Sequence, residues 1–311
     1  MIKLQSVSKR FGSFQALKEI SFELEAGCIA GFLGPNGAGK TTSMRLMTCY
    51  SKPNSGQITI AGLNTAGHAN QIKRKLGYLP ENSPLYKDMT VCEFLSMAAS
   101  LRGISGQEQT RVIRRTMGDC GLGQHADKII LTLSKGYQQR VGLAQAMVHD
   151  PEILILDEPT TGLDPAQINE IHQLIKSFAQ RKTVLLSTHI LAHIGGLCDR
   201  ALVLSQGRLV FDGTPQTMLQ HDPAPGTTML DTDASPEKVA ELLNAVSGLE
   251  RVEHLGTCND KCYQRYRIHG TLGSDAPGSL LSLLVNRGVR VSQWHREPRS
   301  AERAFLSLTG H

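Results

Sequence analysis

The fold of this chain is decided by the stretch Gly34-Pro35-Asn36-Gly37-Ala38-Gly39-Lys40-Thr41-Thr42. It fits the spacing G-x-x-x-x-G-K-[ST] of a phosphate-binding loop, in which glycines let consecutive backbone N–H groups point inward at an anion. The run 28–33 before it is short and apolar, as in a buried strand, and 42–48 after it has helical spacing. We therefore predict a nucleoside-triphosphate site here. Lys40 would reach the β- and γ-phosphates, and Thr41 would give its hydroxyl to Mg²⁺.

A second apolar run, Ile153–Leu156, ends in the two carboxylates Asp157 and Glu158. Four consecutive apolar residues are typical of a strand that is buried on both faces. In doubly wound sheets, ligands bind at the carboxyl ends of the strands. We therefore expect both carboxylates beside the phosphate loop. The run 183–188 predicts another buried strand, and His189 at its end is a further candidate for the site.

Composition limits the classes of function. The chain has 311 residues, of which 40% are hydrophobic, enough for a packed core, and no run approaches the ~20 apolar residues of a spanning helix. The N-terminus has no signal-peptide pattern. The net charge of +5 lies within 1–227, without a basic run of five or six, so we expect phosphate binding and no nucleic-acid partner. The odd number of seven cysteines favours free thiols.

The pattern along the chain predicts two domains. Residues 1–220 read as an α/β domain with a helical insertion at about 82–131. Residues 221–227 are rich in proline and glycine and are predicted to form a linker. The segment 228–311 has the order strand, helix, strand, strand, helix, strand, which is typical of a small α+β domain of the ferredoxin-like type.

Phe11 is an aromatic residue at a predicted turn upstream of the phosphate loop. An exposed ring in this position could stack on adenine. A buried ring would instead belong to the core. The residues by themselves leave both interpretations open.

Taken together, these motifs resemble those of ATP-binding-cassette (ABC) nucleotide-binding subunits over about 1–220. The resemblance implies the ABC type of P-loop NTPase fold, with a mixed sheet core, a β subdomain and the helical insertion. The matching residues are Phe11 as the adenine-stacking aromatic, Gly34–Thr42 as Walker A, Leu133-Ser134-Lys135-Gly136-Tyr137-Gln138 as the signature, Ile153–Glu158 as Walker B with its catalytic Glu, Thr161–Pro165 as the D-loop and His189 as the switch histidine.

Two places differ from the commonest pattern of the family. The signature usually reads Leu-Ser-Gly-Gly-Gln, and Lys135 and Tyr137 replace a Gly and the Gln here. Glu81 stands where the Q-loop usually has Gln, and it is either a metal ligand or only a coupling residue. Both differences resemble ABC-2-type exporter ATPases of the gliding-motility-associated kind. The similarity to nitrous-oxide-reductase maturation and daunorubicin-resistance ATPases is looser.

The resemblance implies how ATP and Mg²⁺ would be bound and used. Glu158 would polarise the attacking water as the general base, and His189 would hold that water and the γ-phosphate in line. Asp157 and Thr41 would serve Mg²⁺, with Glu81 as a further candidate ligand. In the family, two antiparallel copies bury two ATP, so we expect a homodimer in which the signature of one copy closes the phosphate loop of the other. The residues that the second copy would contribute are Ser134, Gly136 and Asp164.

The resemblance also implies a membrane partner. A multi-span permease would dock near Glu81–Leu101 and hold the chain at the cytoplasmic face of the membrane. The apolar candidates for this contact, which could equally be core of the insertion, are Leu85, Tyr86, Met89 and Phe94. Two other classes of function stay open at this point. They are an ATPase for metalloenzyme maturation and a non-transport ABC ATPase that acts on ribosomes or DNA.

Overall fold

The computed structural model describes residues 1–188, 191, 194–222, 227–244, 249–258, 262–270, 281–282, 284–297 and 299–310. They form two compact units. The first comprises Met1–Met218 together with the chain from Leu308 onward, and the second is Leu219–Ser307. Among the described residues, no helix has the length and apolar character needed to cross a bilayer.

The first unit contains ten strands and eight helices within its described residues. The strands are β1 (Ile2–Phe11), β2 (Phe14–Leu24), β3 (Ile29–Leu33), β4 (Ser55–Ile60), β5 (Leu63–Asn64), β6 (Leu76–Leu79), β7 (Ile153–Leu156), β8 (Thr183–Ser187), β9 (Arg200–Ser205) and β10 (Arg208–Gly213). The helices are α1 (Lys40–Met47), α2 (Ala69–Lys75), α3 (Val91–Leu101), α4 (Gly106–Asp119), α5 (Lys135–Met147), α6 (Pro165–Ala179), α7 (Ile194–Leu197) and α8 (Pro215–Met218).

The main sheet has six strands in the order β10-β9-β3-β8-β7-β6. Neighbours pair in parallel from β9 to β6, and β10 pairs antiparallel with β9. Every residue of β3, β7 and β8 is buried, as the continuous apolar runs predicted. Leu186 of β8 lies opposite Leu156 of β7, and Ser187 lies opposite Phe32 of β3. The carboxyl ends of these three strands therefore meet at one edge, where the site is built.

A second, antiparallel sheet has the order β2-β1-β4-β5 and corresponds to the expected β subdomain. Alternate residues of its strands, such as Ile2, Leu4 and Ile58, are buried in the same core cluster as Phe32 and Ile155 of the main sheet. Because the two sheets share this core, the β subdomain is packed against the strand that leads into the phosphate loop.

Helices α3 and α4 form the insertion, with 3₁₀ turns at Gly123–His125 and Ile130–Thr132. Helix α3 begins with a capping box: the Thr90 hydroxyl accepts from Glu93 N at 3.2 Å, and a Glu93 carboxylate oxygen accepts from Thr90 N at 2.8 Å. Ala99 and Val112 of the two helices pack with Val148, which follows α5. The insertion therefore rests on the helix that carries the signature.

The second unit contains β11 (Thr228–Thr232), α9 (Pro236–Asn244), β12 (Leu249–Thr257), β13 (Gln264–Gly270) and β14 (Val291–Arg296); α10 (Ala301–Thr309) follows. Its strands pair antiparallel in the order β12-β13-β11-β14, which is the strand order of the ferredoxin-like unit. Residues 281–282 and 284–286 are helical, and the rest of the helix predicted at 279–286 lies outside the described residues. Tyr266 is buried in the core of this unit, and its hydroxyl donates to Ala234 O at 2.8 Å.

The structure decides two alternatives that the sequence left open, at Phe11 and Phe94, and adds a contact within the predicted linker. Phe11 is 51% exposed, so it is not a core residue. Phe94 is only 3% exposed because it lies on the inner face of α3, so it belongs to the insertion core rather than to a docking surface. Asp222, in the predicted linker, is buried and forms an ion pair with Arg303 at 3.0 Å within the second unit. Residues 223–226 of that linker lie outside the described residues.

Candidate active site

The phosphate loop connects β3 to α1, as its motif requires. A Cβ on Gly34 would lie 2.5 Å from Leu204 O, so a side chain does not fit there. Gly39, which precedes α1, has a φ of +110°, and a Cβ on it would lie 2.9 Å from Ala16 O. Both glycines are therefore required by space, and Gly39 also by its backbone conformation.

One cavity of about 550 Å³ gathers most of the predicted site residues. All nine residues of the phosphate loop line it, together with the two carboxylates after β7 and the predicted Q-loop residue. The lining residues are Phe14, Ala16, Gly34, Pro35, Asn36, Gly37, Ala38, Gly39, Lys40, Thr41, Thr42, Glu81, Asp157, Glu158 and Thr161. Distant parts of the sequence thus meet in a pocket with a cationic and an anionic side.

Lys40 is held by the loop itself. Its Nζ donates to Gly34 O at 2.6 Å and to Pro35 O at 3.3 Å. Burial lowers the pKa of the Lys40 ammonium, and the nearby carboxylates of Glu158 and Asp157 act in the opposite direction. The ammonium group is therefore held beside the phosphate loop by two carbonyl contacts that a phosphate can replace.

Asp157 and Glu158 are positioned by a hydroxyl from the neighbouring strand. Ser187 Oγ donates to Asp157 Oδ1 at 2.6 Å and accepts from Glu158 N at 2.8 Å. Asp157 N also donates to Leu79 O at 2.8 Å, which ties the start of this turn to β6. Glu158 has a φ of +49°, in the left-handed region that residues other than glycine rarely adopt.

The oxygen ligands in the cavity suit Mg²⁺. Thr41, Glu81 and Asp157 offer one hydroxyl and two carboxylates, and Mg²⁺ is usually held by one or two carboxylates together with substrate phosphates. Among the described residues, no group of three or more His, Cys, Asp or Glu side chains could hold a metal by itself. A magnesium ion at this cavity would therefore depend on the nucleotide for further ligands.

The signature residues lie at the start of α5 and outside this cavity. Ser134 is the N-cap of α5 and accepts from Tyr137 N at 3.5 Å. Gly136 is buried, and a Cβ on it would lie 3.0 Å from Gln167 Cδ. Asp164 is the N-cap of α6 and accepts from Gln167 N at 2.9 Å. Ser134, Gly136 and Asp164 are all described, and none lines the cavity of their own phosphate loop.

Tyr137, which replaces the usual Gln of the signature, belongs to a cluster that joins three parts of the first unit. Its ring meets the His125 ring edge-on with centroids 4.1 Å apart. Arg140 lies over the same ring at 5.6 Å, donates to Cys120 O at 3.1 Å and pairs with Glu170 of α6 at 2.6 Å. The insertion, the signature helix and α6 are therefore held together at this point.

Two exposed aromatic residues flank the turn between β1 and β2. Phe11 and Phe14 are paired in the strand register there, and they are 51% and 62% exposed. Phe14 lines the cavity and Phe11 does not. The other predicted residue, His189, lies outside the described residues, two positions after the last residue of β8.

Comparison with known proteins shows which family this chain belongs to. Residues 17–161 match the family model described as ABC transporter. The bacitracin transport ATP-binding protein BcrA of Bacillus licheniformis is 32% identical over 314 residues, which cover 100% of this chain and 97% of that protein. This chain belongs to the ABC transporter ATP-binding proteins. The ABC family also includes the Nod factor export ATP-binding protein I of Burkholderia lata, which is 35% identical over 222 residues, 71% of this chain and 73% of that protein.

Solved ABC structures share the fold. The ATP-binding subunit of an ABC transporter aligns with a TM-score of 0.65 and 28% identity, covering 78% of this chain and 99% of that one. A dimeric cassette in a post-hydrolysis state with ADP and Pi aligns with a TM-score of 0.63 and 27% identity, covering 69% of this chain and 99% of that one. The predicted fold class is confirmed, and as an ABC ATPase this chain binds and hydrolyses ATP.

Two residues at or beside the cavity were not singled out from the sequence. Ser187 ends a run of apolar residues, and a single serine in that position does not indicate a functional role from the sequence. Only the register between β7 and β8 places it against Asp157. Phe14 does not match the family motif, which falls on Phe11, although both residues flank the same turn.

Proposed function

We propose that this ABC ATPase is the ATP-hydrolysing subunit of an ABC-2-type exporter and drives a separate membrane permease. The observation that carries the proposal is the single cavity in which the whole phosphate loop meets Glu81, Asp157 and Glu158. The export direction is supported by a similar protein whose name states Nod factor export. A role in transport is also supported by one whose name states bacitracin transport.

In this proposal, hydrolysis depends on positioning and charge. The loop amides and Lys40 bind the β- and γ-phosphates and stabilise the charge that spreads over the γ-phosphate in the transition state. Glu158 accepts the proton of the attacking water, because it is a carboxylate beside the loop and is fixed by the turn after β7. His189 is proposed to hold that water and the γ-phosphate in line.

Thr41 and Asp157, with Glu81 as a further candidate, would hold Mg²⁺ bound to ATP. When bound, this ion neutralises phosphate charge. Lys40 leaves its two carbonyl partners to meet the phosphates, and the N-terminus of α1 adds its partial positive charge. Phe11 is proposed to stack on the adenine, with Phe14 as its cross-strand neighbour at the cavity.

We further propose a homodimer with two ATP in the interface. Ser134 and Gly136 stand at the N-terminus of a helix of thirteen residues, which is suited to an anion, but they do not line the cavity of their own chain. A second copy in antiparallel orientation would bring Ser134, Gly136 and Asp164 to the nucleotide. The similar cassette solved with ADP and Pi is itself described as a dimer.

The permease is proposed to dock near Glu81–Leu101. On this segment Tyr86 is 60% exposed, with its ring 6.2 Å from that of the buried Phe94, so it can contact a partner. Leu101 is 79% exposed and lines a groove of about 640 Å³ together with Tyr50, which is 80% exposed. These apolar side chains support a protein contact, through which the chain would lie at the cytoplasmic face of the membrane.

The direct test is purification of a tagged Glu158→Gln variant from native membranes in mild detergent with ATP and Mg²⁺. This variant should keep ATP and trap the closed dimer on its permease, so a multi-span membrane protein is the expected partner. Lys40→Ala is the matched control, because it should bind ATP weakly and recover less of that partner. Recovery of soluble proteins alone, from a variant that binds ATP, would contradict the transporter function.

A further inference from the structure

The hydroxyl of Ser187 links the two carboxylate residues of the site. It donates to Asp157 Oδ1 at 2.6 Å, a short distance typical of a hydrogen bond to an ionised group. At the same time it accepts the backbone N–H of Glu158 at 2.8 Å. A hydroxyl has a single proton, so its direction is set by the carboxylate, which can only accept.

We infer that Ser187 is a positioning residue for ATP hydrolysis: through these two bonds it fixes the carboxylate of Asp157 and the backbone of Glu158 relative to each other. The inference rests on the proposed roles of Asp157 and Glu158. Ser187 itself does not line the cavity, so it acts through these two neighbours.

Burial makes the link rigid. Ser187 is 0% exposed and Asp157 is 2% exposed. If the hydroxyl is removed by substitution, water therefore has no ready access to take its place. With Oδ1 engaged by Ser187, the Asp157 carboxylate has a fixed orientation at the cavity wall. Glu158 has a left-handed φ of +49°, and the bond from its N–H to Ser187 holds the peptide in that unfavourable conformation.

The position of Ser187 in the sheet explains why this residue can have such a role. It is the last residue of β8, between the strand that leads into the phosphate loop and the strand that ends in the carboxylates. Its backbone pairs with Phe32 of β3 on one side, and its side chain reaches Asp157 on the other. One residue therefore contacts both the strand that leads into the phosphate loop and the turn that carries the two carboxylates.

The experiment compares Ser187→Ala with Ser187→Thr, which keeps the hydroxyl. We expect Ser187→Ala to lower kcat by roughly 10- to 100-fold, the effect of losing a hydrogen bond to a charged group. The KM for ATP should change little, because the phosphate loop is untouched. Ser187→Thr should recover most of the lost kcat. A kcat within about twofold of wild type for Ser187→Ala would overturn the inference.

Binding gives a readout that does not depend on turnover. The affinity for a fluorescent ATP analogue in EDTA should be unchanged in Ser187→Ala, whereas the Mg²⁺ concentration needed for half-maximal tightening of that binding should rise severalfold. A Mg²⁺ dependence identical to wild type would contradict an effect through Asp157.

A matched control comes from the other end of the same strand. Thr183 is also buried, and its Oγ1 accepts from Gly27 N at 3.1 Å, far along β8 from the cavity. Thr183→Val should lower thermal stability to a similar extent and leave kcat unchanged. An equal loss of kcat in both variants would mean that the Ser187 hydroxyl is only structural. If Ser187→Ala does not fold, Ser187→Cys keeps the size with a weak donor, and it should show the same loss of kcat.

A double-mutant cycle separates this inference from the proposed function. In the background of Asp157→Asn, Ser187→Ala should have a much smaller effect, because the charged partner is already gone. If Asp157→Asn and Glu158→Gln hydrolyse ATP normally, the proposed roles fail. If these two variants are strongly impaired and Ser187→Ala is fully active, only the inference about Ser187 fails.

Discussion

The ammonium group of Lys135 lies directly over Gly162. A Cβ on Gly162 would overlap Lys135 Nζ, and Gly162 has a left-handed φ of +71°. Lys135 is the residue that departs from the usual glycine of the signature, and Gly162 belongs to the segment that ends in the N-cap of α6. The signature and the D-loop of one chain are therefore packed together, and a change in one should affect the other.

The first prediction follows from this packing. Gly162→Ala should lower ATPase activity severalfold, because it forces an alanine into a left-handed conformation, at about 1 kcal/mol, and displaces Lys135. In the background of Lys135→Ala the overlap is relieved, so part of the activity should return. Steady-state ATPase assays measure both. Gly62→Ala is the control, since Gly62 has a φ of +79° and no atom within 4 Å of its Cβ position.

The second prediction concerns the base. Glu158→Gln should reduce kcat by about 10²- to 10⁴-fold, the range expected for loss of a general base, with ATP affinity nearly unchanged. Single-turnover hydrolysis and nucleotide-binding assays separate the two effects. Glu108→Gln, at an exposed residue of the insertion that pairs with Arg111, serves as the control. Normal hydrolysis by Glu158→Gln would show that another group accepts the proton.

The third prediction concerns the nucleobase. Phe11→Ala should raise the KM for ATP severalfold and leave kcat almost unchanged, because stacking on the base contributes equally to the ground state and the transition state. Phe14→Ala is the comparison, since Phe14 is the ring that lines the cavity. A larger rise of KM for Phe14→Ala would assign the adenine to Phe14.

The fourth prediction concerns pH and His149. Burial lowers the pKa of this imidazole to about 4; its ring donates through Nε2 to Leu76 O at 3.2 Å, and Nδ1 is buried without a partner among the described residues. Between about pH 6.5 and this lowered value, the unfolded chain binds a proton that the folded chain does not. The free energy of unfolding should therefore have its full value above about pH 6.5. It should fall by on the order of 2 kcal/mol as the pH drops toward 4.

Urea denaturation at pH 5 and pH 7.5 tests this dependence. His149→Gln keeps a donor for Leu76 O and removes the titrating group, so the difference in unfolding free energy between the two pH values should shrink. His68→Gln changes an exposed histidine and should leave the difference as it is in the wild-type protein. An unchanged pH dependence in His149→Gln would mean that other groups cause the loss at acid pH.

The sequence predicted those parts of the site in which local pattern and chemistry coincide. The glycines of the phosphate loop and the apolar run before Asp157 each specify their backbone locally, and the structure brings them together. Ser187 was missed because its role depends on the register between two strands that are thirty residues apart along the chain. That register is set by packing of the whole sheet and leaves no local signal.

The insertion shows a second reason why the sequence left alternatives open. Phe94 and Tyr86 are both aromatic residues in the same predicted docking segment, but one is buried on the inner face of α3 and the other is exposed. Helical spacing places Phe94 on an apolar face, and it does not say whether that face meets the same chain or a partner. This distinction needs the neighbouring elements, which only the folded structure supplies.

The backbone of Glu158 also bears on how this protein could be engineered. Its φ of +49° is tolerated better by glycine and asparagine than by glutamate, so either substitution should relieve strain at the turn after β7. A library screened for heat resistance alone would therefore enrich variants that have lost the carboxylate. Selection for a more stable protein would have to include ATP turnover as a second criterion. At this position the residue that best suits the backbone conformation differs from the residue that hydrolysis requires.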